Sequence, residues 1–402
     1  MGTRRSQRRG LRAHVTGSQL PLAGIRVVDC SRVLAGPFAT MLLADLGADV
    51  LKVESPSGDD TRAWGPPFWG PSADRLSAYY TSVNRNKRSV VLDLKTSEGQ
   101  ATLCEMARHA DVLVHNYRPA TARRLGLDQD GLAALNPDLV TAVVAGFPGD
   151  TEAHRNRPAY DLLAQAVSGL MSVTGEEGGA PHKVGVAVLD LIVGLEVAVA
   201  ALAGLVGRGK ARVSHVEVSL VEAGLTSLVN VLANYLASGQ EPRRYGSAHP
   251  NIAPYQSFPT SDGHIVVAVG NDAQFSRLLA VLGLTDEDAR FATNADRLKA
   301  RDELTRWVGA AIRDRRRDEL VEALLQADVP AGAVLTVADS VAAMEEAHAG
   351  GWVEEVDGIR LAPSPFLIDG RRAAIRRPPP KLGEHTAEVL AELNVPKENE
   401  PR

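Results

Sequence analysis

Between Gly24 and Phe147 the chain alternates short β-rich runs with helical ones, and no other feature narrows the fold as far. The stretches "IRVVDC" (25–30), "DVLKVE" (49–54), "RSVVLDL" (88–94), "DVLVHN" (111–116) and "LVTAVVAGF" (139–147) are dense in branched aliphatic residues and read as strands. Between them, "GPFATMLLADLGA" (36–48) and "SEGQATLCEMARHA" (97–110) read as helices, the second with Ser97 as its N-cap, and a shorter helical stretch runs to Leu135. Such alternation predicts βαβ units wound around a parallel sheet. Ligands of open α/β sheets bind beyond the carboxyl ends of the strands, so a site is expected in the loops after Cys30, Glu54, Leu94, Asn116 and Phe147. The first of these loops reads "SRVLAGP". It carries no G-x-G-x-x-G, which disfavours a nicotinamide or flavin enzyme, and no Walker sequence.

The apolar run "KVGVAVLDLIVGLEVAVAALAGLVGR" (183–208) is interrupted by a carboxylate, Asp190. An unpaired buried charge costs roughly several kcal/mol, so this one needs a reason to be there. It follows the strand-like "VGVAVL" and opens a helix, where an Asp N-cap contributes about 1 kcal/mol. The same placement suits a carboxylate nucleophile, because the N–H groups and dipole of a helix N-terminus keep it ionised and stabilise an oxyanion beside it. The residues alone leave both readings open. Asp161, four residues after Arg157 and next to Tyr160, is a second candidate of the same kind, nucleophile or helix-start acid. Glu196 falls on another side of the helix and reads as an interhelical or subunit contact. A membrane span is disfavoured, because Asp190 and Glu196 would both lie within the bilayer.

A chain of 402 residues is long enough for more than one domain. Two helices, 159–174 and one from Asp190 to Gly207, are joined by the Gly-rich turn "GEEGGAP"; the strand "RVSHVEVS" (212–219) and a helix over 220–238 follow. Composition then divides the chain into a disordered basic tail (1–19), a large domain (20–238), a Pro/Gly-rich polar linker (239–260) into a small domain (261–327) containing the hairpin "FPTSDGHIVVAVG" (258–270), and a final α/β segment (328–402). The tail could alternatively be a short targeting or acylated segment. A net charge of −5 argues against a nucleic-acid partner. Two cysteines, Cys30 and Cys104, form no disulfide or metal framework, and a reducing, cytoplasmic location is expected. The basic cluster "NRNKRS" (84–89), with Arg118, Arg123 and Arg124, suits either a small polyanion or a solvated surface. His154, His182, His215, His249 and His264 show no metal-binding spacing.

The segments "LAGIRVVDCSRVLAGPFATMLLADLGADVLKVE", "NRNKRSVVLDLK", "DVLVHNYRP", "RPAYDLLAQAVSGLMSVTG", "VGVAVLD", "NIAPYQ" and "PPPKLGEHTAEVL", in this order, resemble the class III CoA-transferases (CaiB/BaiF type) from Leu20 to about Asn394. "RVLAGPFAT", "WGPPF", "GLMSVTG" and "AHPNIAPYQ" look closest to the branch acting on succinyl-CoA and glutarate. The chain differs from formyl-CoA transferases at Leu34, Ser55 and Pro158, where those enzymes carry Gln, Arg and Lys. The resemblance implies a Rossmann-like large domain built from both ends of the chain, a smaller α+β domain between them, and two subunits interlocked as a homodimer. It places the nucleophilic aspartate on Asp190. It places CoA contacts on Leu34 and Ala35, on Leu92, Asp93, Leu94 and Lys95, on Asn116, Tyr117 and Arg118, on Arg124, and on Tyr160 and Asp161.

The function so implied is transfer of CoA from an acyl-CoA such as succinyl-CoA to an acceptor carboxylic acid such as glutarate, through an aspartyl-CoA thioester. Coenzyme A enters as substrate, with no permanently bound cofactor, no metal and no membrane or nucleic-acid partner. The region of Arg243, Arg244 and His249 is expected to meet the free carboxylate of a dicarboxylic substrate. Two other functions share the resemblance: a 2-methylacyl-CoA racemase, and a non-catalytic acyl-CoA-binding protein. The racemase needs a base on each face of the α-carbon. Related racemases have a His where this chain has Tyr160, whose phenol is a poor base near neutral pH.

Overall fold

The computed structural model describes residues 20–71, 75–208 and 214–393, so the Arg-rich tail expected at 1–19 lies outside the described residues. The chain falls into two compact units. The first takes in the described residues up to Ser168, those of Gly185–Ser227 and those from Ala349 onward; the second consists of Gly169–Val184 and Leu228–His348.

The first unit is built on a six-stranded sheet, parallel throughout, of β1 (Arg26–Cys30), β2 (Asp49–Glu54), β3 (Lys87–Val91), β4 (Val112–His115), β5 (Val140–Ala145) and β6 (His215–Ser219). Their order across the sheet is β3-β2-β1-β4-β5-β6, so consecutive connections reverse direction between β1 and β4. The central strands are apolar on both faces, as a sheet covered by helices requires: Val27, Val28, Val50, Leu51, Val112 and Leu113 are wholly buried.

The helices that position the site are α1 (Ala35–Asp45), α2 (Ser97–Arg108), α3 (Asp161–Val167), α4 (Val188–Gly207) and α5 (Leu220–Thr226). The cap of α2 is Thr96 rather than Ser97, its hydroxyl accepting the N–H of Gly99. Among the described residues α4 is the one unbroken helix long and apolar enough to cross a bilayer. It packs on α1, β5 and β6 instead. Leu189, Val193, Val197 and Ala201 along one side of it are wholly buried. Two glycines permit the close approach: a Cβ on Gly194 would lie 2.8 Å from the carbonyl oxygen of Ala35, and one on Gly204 2.4 Å from the Val140 side chain.

The structure departs from the sequence reading at other places as well, among them the helix expected over 159–174, which ends at Val167 before Gly169 at φ 87°. "VGVAVL" forms no strand: irregular chain leads directly into α4 at Val188, which makes Asp190 its third residue and not its cap. The helix expected over 220–238 breaks after Thr226, Val229 taking φ 41°, and a separate helix, Asn230–Ser238, belongs to the second unit. The cluster "NRNKRS" is neither an anion site nor a solvated surface. Asn84 to Ser89 are all buried, with Arg85 on Asp45, Lys87 on Asp29, and Arg88 on Asp49, Glu388 and Glu392.

The second unit carries a three-stranded antiparallel sheet of β7 (Tyr255–Thr260), β8 (Gly263–Ala268) and β9 (Ala331–Ala333), with β8 in the middle. Phe258, Ile265 and Val267 pack with Leu278, Val308, Ile312 and Leu324 from its helices. The expected boundaries shift accordingly. Residues 255–257 fall in the expected linker and 331–333 in the expected returning segment, yet both pair with β8, as do 258–260 of the expected hairpin, so this unit runs on to His348. The stretch 169–184 belongs to it as well.

Candidate active site

A cavity of about 700 Å³ opens beyond the carboxyl ends of β1, β4 and β5, where the sheet order reverses. This is the position that elementary α/β topology assigns to a ligand. Its wall includes Arg32, Val33, Leu34 and Ala35 after β1, His115 at the end of β4 and Asn116 to Pro119 after it, Val143 to Gly146 at the end of β5, and Tyr160 and Asp190.

The loop after β1 is held from beneath by buried charges. Asp29 accepts Thr40 Oγ1 at 2.6 Å and Lys87 Nζ at 3.0 Å, and it also binds both the N–H and the hydroxyl of Ser31. Lys52 Nζ donates to the Ser31 carbonyl at 3.1 Å and to Asp59 at 2.9 Å. Asp59 in turn receives the N–H of Val33, whose φ of 72° is unfavourable for a β-branched residue and costs about 1–3 kcal/mol. These bonds hold Leu34 and Ala35 at the mouth of the cavity. Despite complete burial, Asp29 is drawn down to about 2 by Lys87 and Lys52, whereas burial pushes Lys87 down to about 8 against the pull of Asp29.

Asp190 reaches the same cavity from the first turn of α4. The cap of that helix comes from elsewhere in the chain: Asp161 Oδ1 accepts the N–H of Leu189 at 2.8 Å and that of Asp190 at 3.4 Å. The next two N–H groups to either side go to backbone carbonyls, Val188 to Val186 and Leu191 to Ala187. The helix terminus therefore offers Asp190 no spare donors, and the expectation that it would keep this carboxylate ionised and line an oxyanion site is not met. Among the described residues the Asp190 carboxylate accepts no hydrogen bond, and burial first, then the charge of Asp161, pushes it up to about 7.

Of the residues expected at the site, Leu34, Ala35, Asn116, Tyr117, Arg118, Tyr160 and Asp190 share this one wall. Leu92, Asp93, Leu94, Lys95, Arg124 and Asp161 are not part of it. Leu92 and Leu94 pack with the hydrophobic core beneath β3, Arg124 is exposed, and Asp161 spends its carboxylate on α4. Arg244 donates to the carbonyls of Ser172 and Gly179, and Arg243 pairs with Glu177 at 3.0 Å, so both are engaged within the second unit. The wall also holds groups the sequence did not single out: Arg32 paired with Asp60, Arg155 paired with Glu217, and His115, pushed down to about 4 by burial and by His215. The position of His115 at the end of β4 is a sequence signal that points to it, whereas Glu217 lies in the middle of β6 and carries none.

The raised carboxyl of Asp190 has a stability consequence. The unfolded chain releases this proton near 3.8 and the folded protein near 7, so between those values folding loses free energy as pH rises. Above pH 7 the folded state carries the full cost. Asp190→Asn removes the ionisable group, and the variant is expected to unfold at higher urea concentration than the wild type at pH 8, the difference closing toward pH 4. A variant no more stable than wild type at pH 8 contradicts the burial cost assigned to Asp190.

The family model of CoA-transferase family III matches residues 22–386. The succinate–glutarate CoA-transferase of Agrobacterium fabrum is 41% identical over 93% of this chain and 96% of its own. The human succinyl-CoA:glutarate CoA-transferase is 37% identical over 93% of this chain and 86% of its own. Among solved structures, a CaiB/BaiF family protein from Brucella suis superposes with a TM-score of 0.81 at 39% identity, covering 93% of this chain and all of that one. A match along nearly the whole length, together with a cavity at the sheet's switch point, leads to one conclusion: the chain belongs to CoA-transferase family III and is an enzyme of that family.

Proposed function

We propose that this transferase moves CoA from succinyl-CoA to glutarate or a dicarboxylate of similar length, through a covalent intermediate on Asp190. The observation that carries the reading is the position of Asp190, a half-buried carboxylate that accepts no hydrogen bond among the described residues, on the wall of the cavity that Leu34, Ala35, Asn116, Tyr117, Arg118 and Tyr160 also line. The likeness to the Agrobacterium and human enzymes supplies the substrate class.

In this reading an Asp190 oxygen attacks the thioester carbonyl carbon, the C–S bond breaks, and CoA leaves as thiolate. A mixed anhydride remains on Asp190. The thiolate then adds to the Asp190 carbonyl and the donor acid departs as carboxylate, leaving an aspartyl-CoA thioester. An acceptor carboxylate runs the two steps backwards and carries the CoA away. No water and no net proton enter, and the thioester energy is retained because each bond broken is replaced by another activated acyl bond. Exclusion of water from the cavity protects both intermediates. Arg118, exposed at the rim, supplies a cation for the phosphates of CoA.

The active molecule is a homodimer in this account. On α4, Leu195, Val199 and Val206 are 47%, 65% and 73% exposed on the side opposite the buried residues, and on α3 Leu162 is 53% exposed. An apolar stripe of this kind on a folded unit calls for a partner, and a second copy of the chain presents the same stripe.

Two measurements test these statements. With succinyl-CoA as donor and a panel of mono- and dicarboxylates as acceptors, mass spectrometry of the CoA products should show glutarate and its near homologues turned over well ahead of acetate and propionate; equal rates for short monocarboxylates overturn the substrate class. Light scattering of the active protein should give twice the chain mass, and full activity in a monomeric preparation overturns the dimer.

A further inference from the structure

Asp161 is an expensive way to cap a helix. It lies at the first position of α3, only 8% exposed, and its carboxylate is divided between two tasks. Oδ1 takes the N–H groups of Leu189 and Asp190, at 2.8 and 3.4 Å, and Oδ2 takes Gln165 Nε2 at 2.5 Å. Gln165 is wholly buried, so the carboxylate has little freedom to turn away. A neutral Asn or Ser satisfies the same N–H groups as well as Asp does. The structure instead places a second carboxylate against the peptide of the first, in a buried setting where like charges repel strongly.

The groups around Asp190 do nothing to offset this. Of the elements packed on α4, α1 carries Asp45, which is held by Arg85, and β5 carries no ionisable side chain. The strand β6 carries His215 and Glu217, the latter paired with Arg155; α5 carries Glu222, and α4 itself has only Glu196 besides. The charge acting on Asp190 is that of Asp161, and the Tyr79 phenol, itself pushed up by burial and by both aspartates, lies in the same field.

We propose that Asp161 is a positioning residue for CoA transfer: its carboxylate pins the first turn of α4 through the peptide N–H groups of Leu189 and Asp190, and its charge disfavours the free carboxylate of Asp190 relative to the acylated form. The inference rests on the reading of Asp190 as nucleophile. Acylation turns the Asp190 carboxylate into a neutral anhydride or thioester, and the repulsion between the two aspartates ends at that step. The free enzyme is raised in energy and the covalent intermediate is not, so the intermediate accumulates and the attacking oxygen is more basic than an ordinary aspartate.

Two variants separate the charge from the bond. Asp161→Asn keeps an acceptor oxygen for the N–H groups and removes the charge; Asp161→Ala removes both. In wild type, kcat/KM for acyl-CoA should rise with pH through an inflection near 7, set by ionisation of Asp190. In Asp161→Asn the inflection should move toward the ordinary carboxylate range by at least about one pH unit, and the fraction of enzyme carrying a covalent adduct with succinyl-CoA at equilibrium should fall. In Asp161→Ala kcat should fall a further tenfold or so, with KM changed less, as the first turn of α4 loses its anchor. If Asp161→Asn keeps both the wild-type inflection and the wild-type adduct fraction, the proposal is overturned, whether or not the Ala variant folds. A large rise in KM with inflection and kcat unchanged also overturns it and makes Asp161 a ligand contact. Absence of any adduct in wild type is a different failure, that of Asp190 as nucleophile.

Discussion

Three neighbouring strands send charged side chains into the same dry space beneath the cavity, and much of the site depends on how those charges balance. Asp29 on β1 stands in register with Lys52 on β2, and Lys87 on β3 closes on Asp29 from the next strand over. Asp59 completes the set through Lys52, with all four side chains at or near zero exposure. Ionised groups buried this deeply are tolerated only when every one is paired, and removing one partner of such a pair costs about 3–5 kcal/mol. The pairing does not merely cancel the charges. It ties Ser31 and Val33 by their backbone, and so holds the turn that carries Leu34 and Ala35 into the cavity.

From that fixed loop the rest of the site follows by close packing. α1 starts at Ala35, and α4 crosses it where Gly194 meets the Ala35 carbonyl. Gly194 is one helical turn beyond Asp190, so the contact that brings the two helices together also sets the depth at which Asp190 enters the wall. Asp161 anchors the same turn from the other side. Asp190 is thus located by one loop and two helices, and among the described residues its carboxylate accepts no hydrogen bond. Its basicity comes from what surrounds it: apolar packing and a second negative charge.

Much of this framework could be read from local pattern. All six parallel strands in the first unit, the helices α1 and α2, and the choice of Asp190 each rest on runs of residues whose periodicity or burial cost is visible within a short window. What escaped was set by residues distant in sequence. "NRNKRS" looks solvated until Asp29, Asp45 and Asp49 are brought against it, and nothing local announces that. The cap of α4 lies 28 residues upstream in Asp161, so Asp190 took the capping role in the sequence reading only because it was the acid at hand. Gly332 and its neighbours gave no strand signal because a three-residue edge strand of Ala and Gly owes its form to β8. The resemblance carried seven of the expected site residues onto one wall, while Leu92 to Lys95 sit two strands away from the switch point, after β3.

The central claim is that the carbonyl carbon of Asp190 becomes an acyl centre during turnover. It is tested most directly by mixing the wild-type protein with succinyl-CoA in the absence of acceptor, quenching with hydroxylamine, and mapping the product by peptide mass spectrometry. The account predicts a hydroxamate on Asp190, formed only when acyl-CoA is present. Unmodified Asp190 in enzyme that goes on to transfer CoA at full rate when glutarate is added, or a hydroxamate on Asp161 in its place, would contradict it.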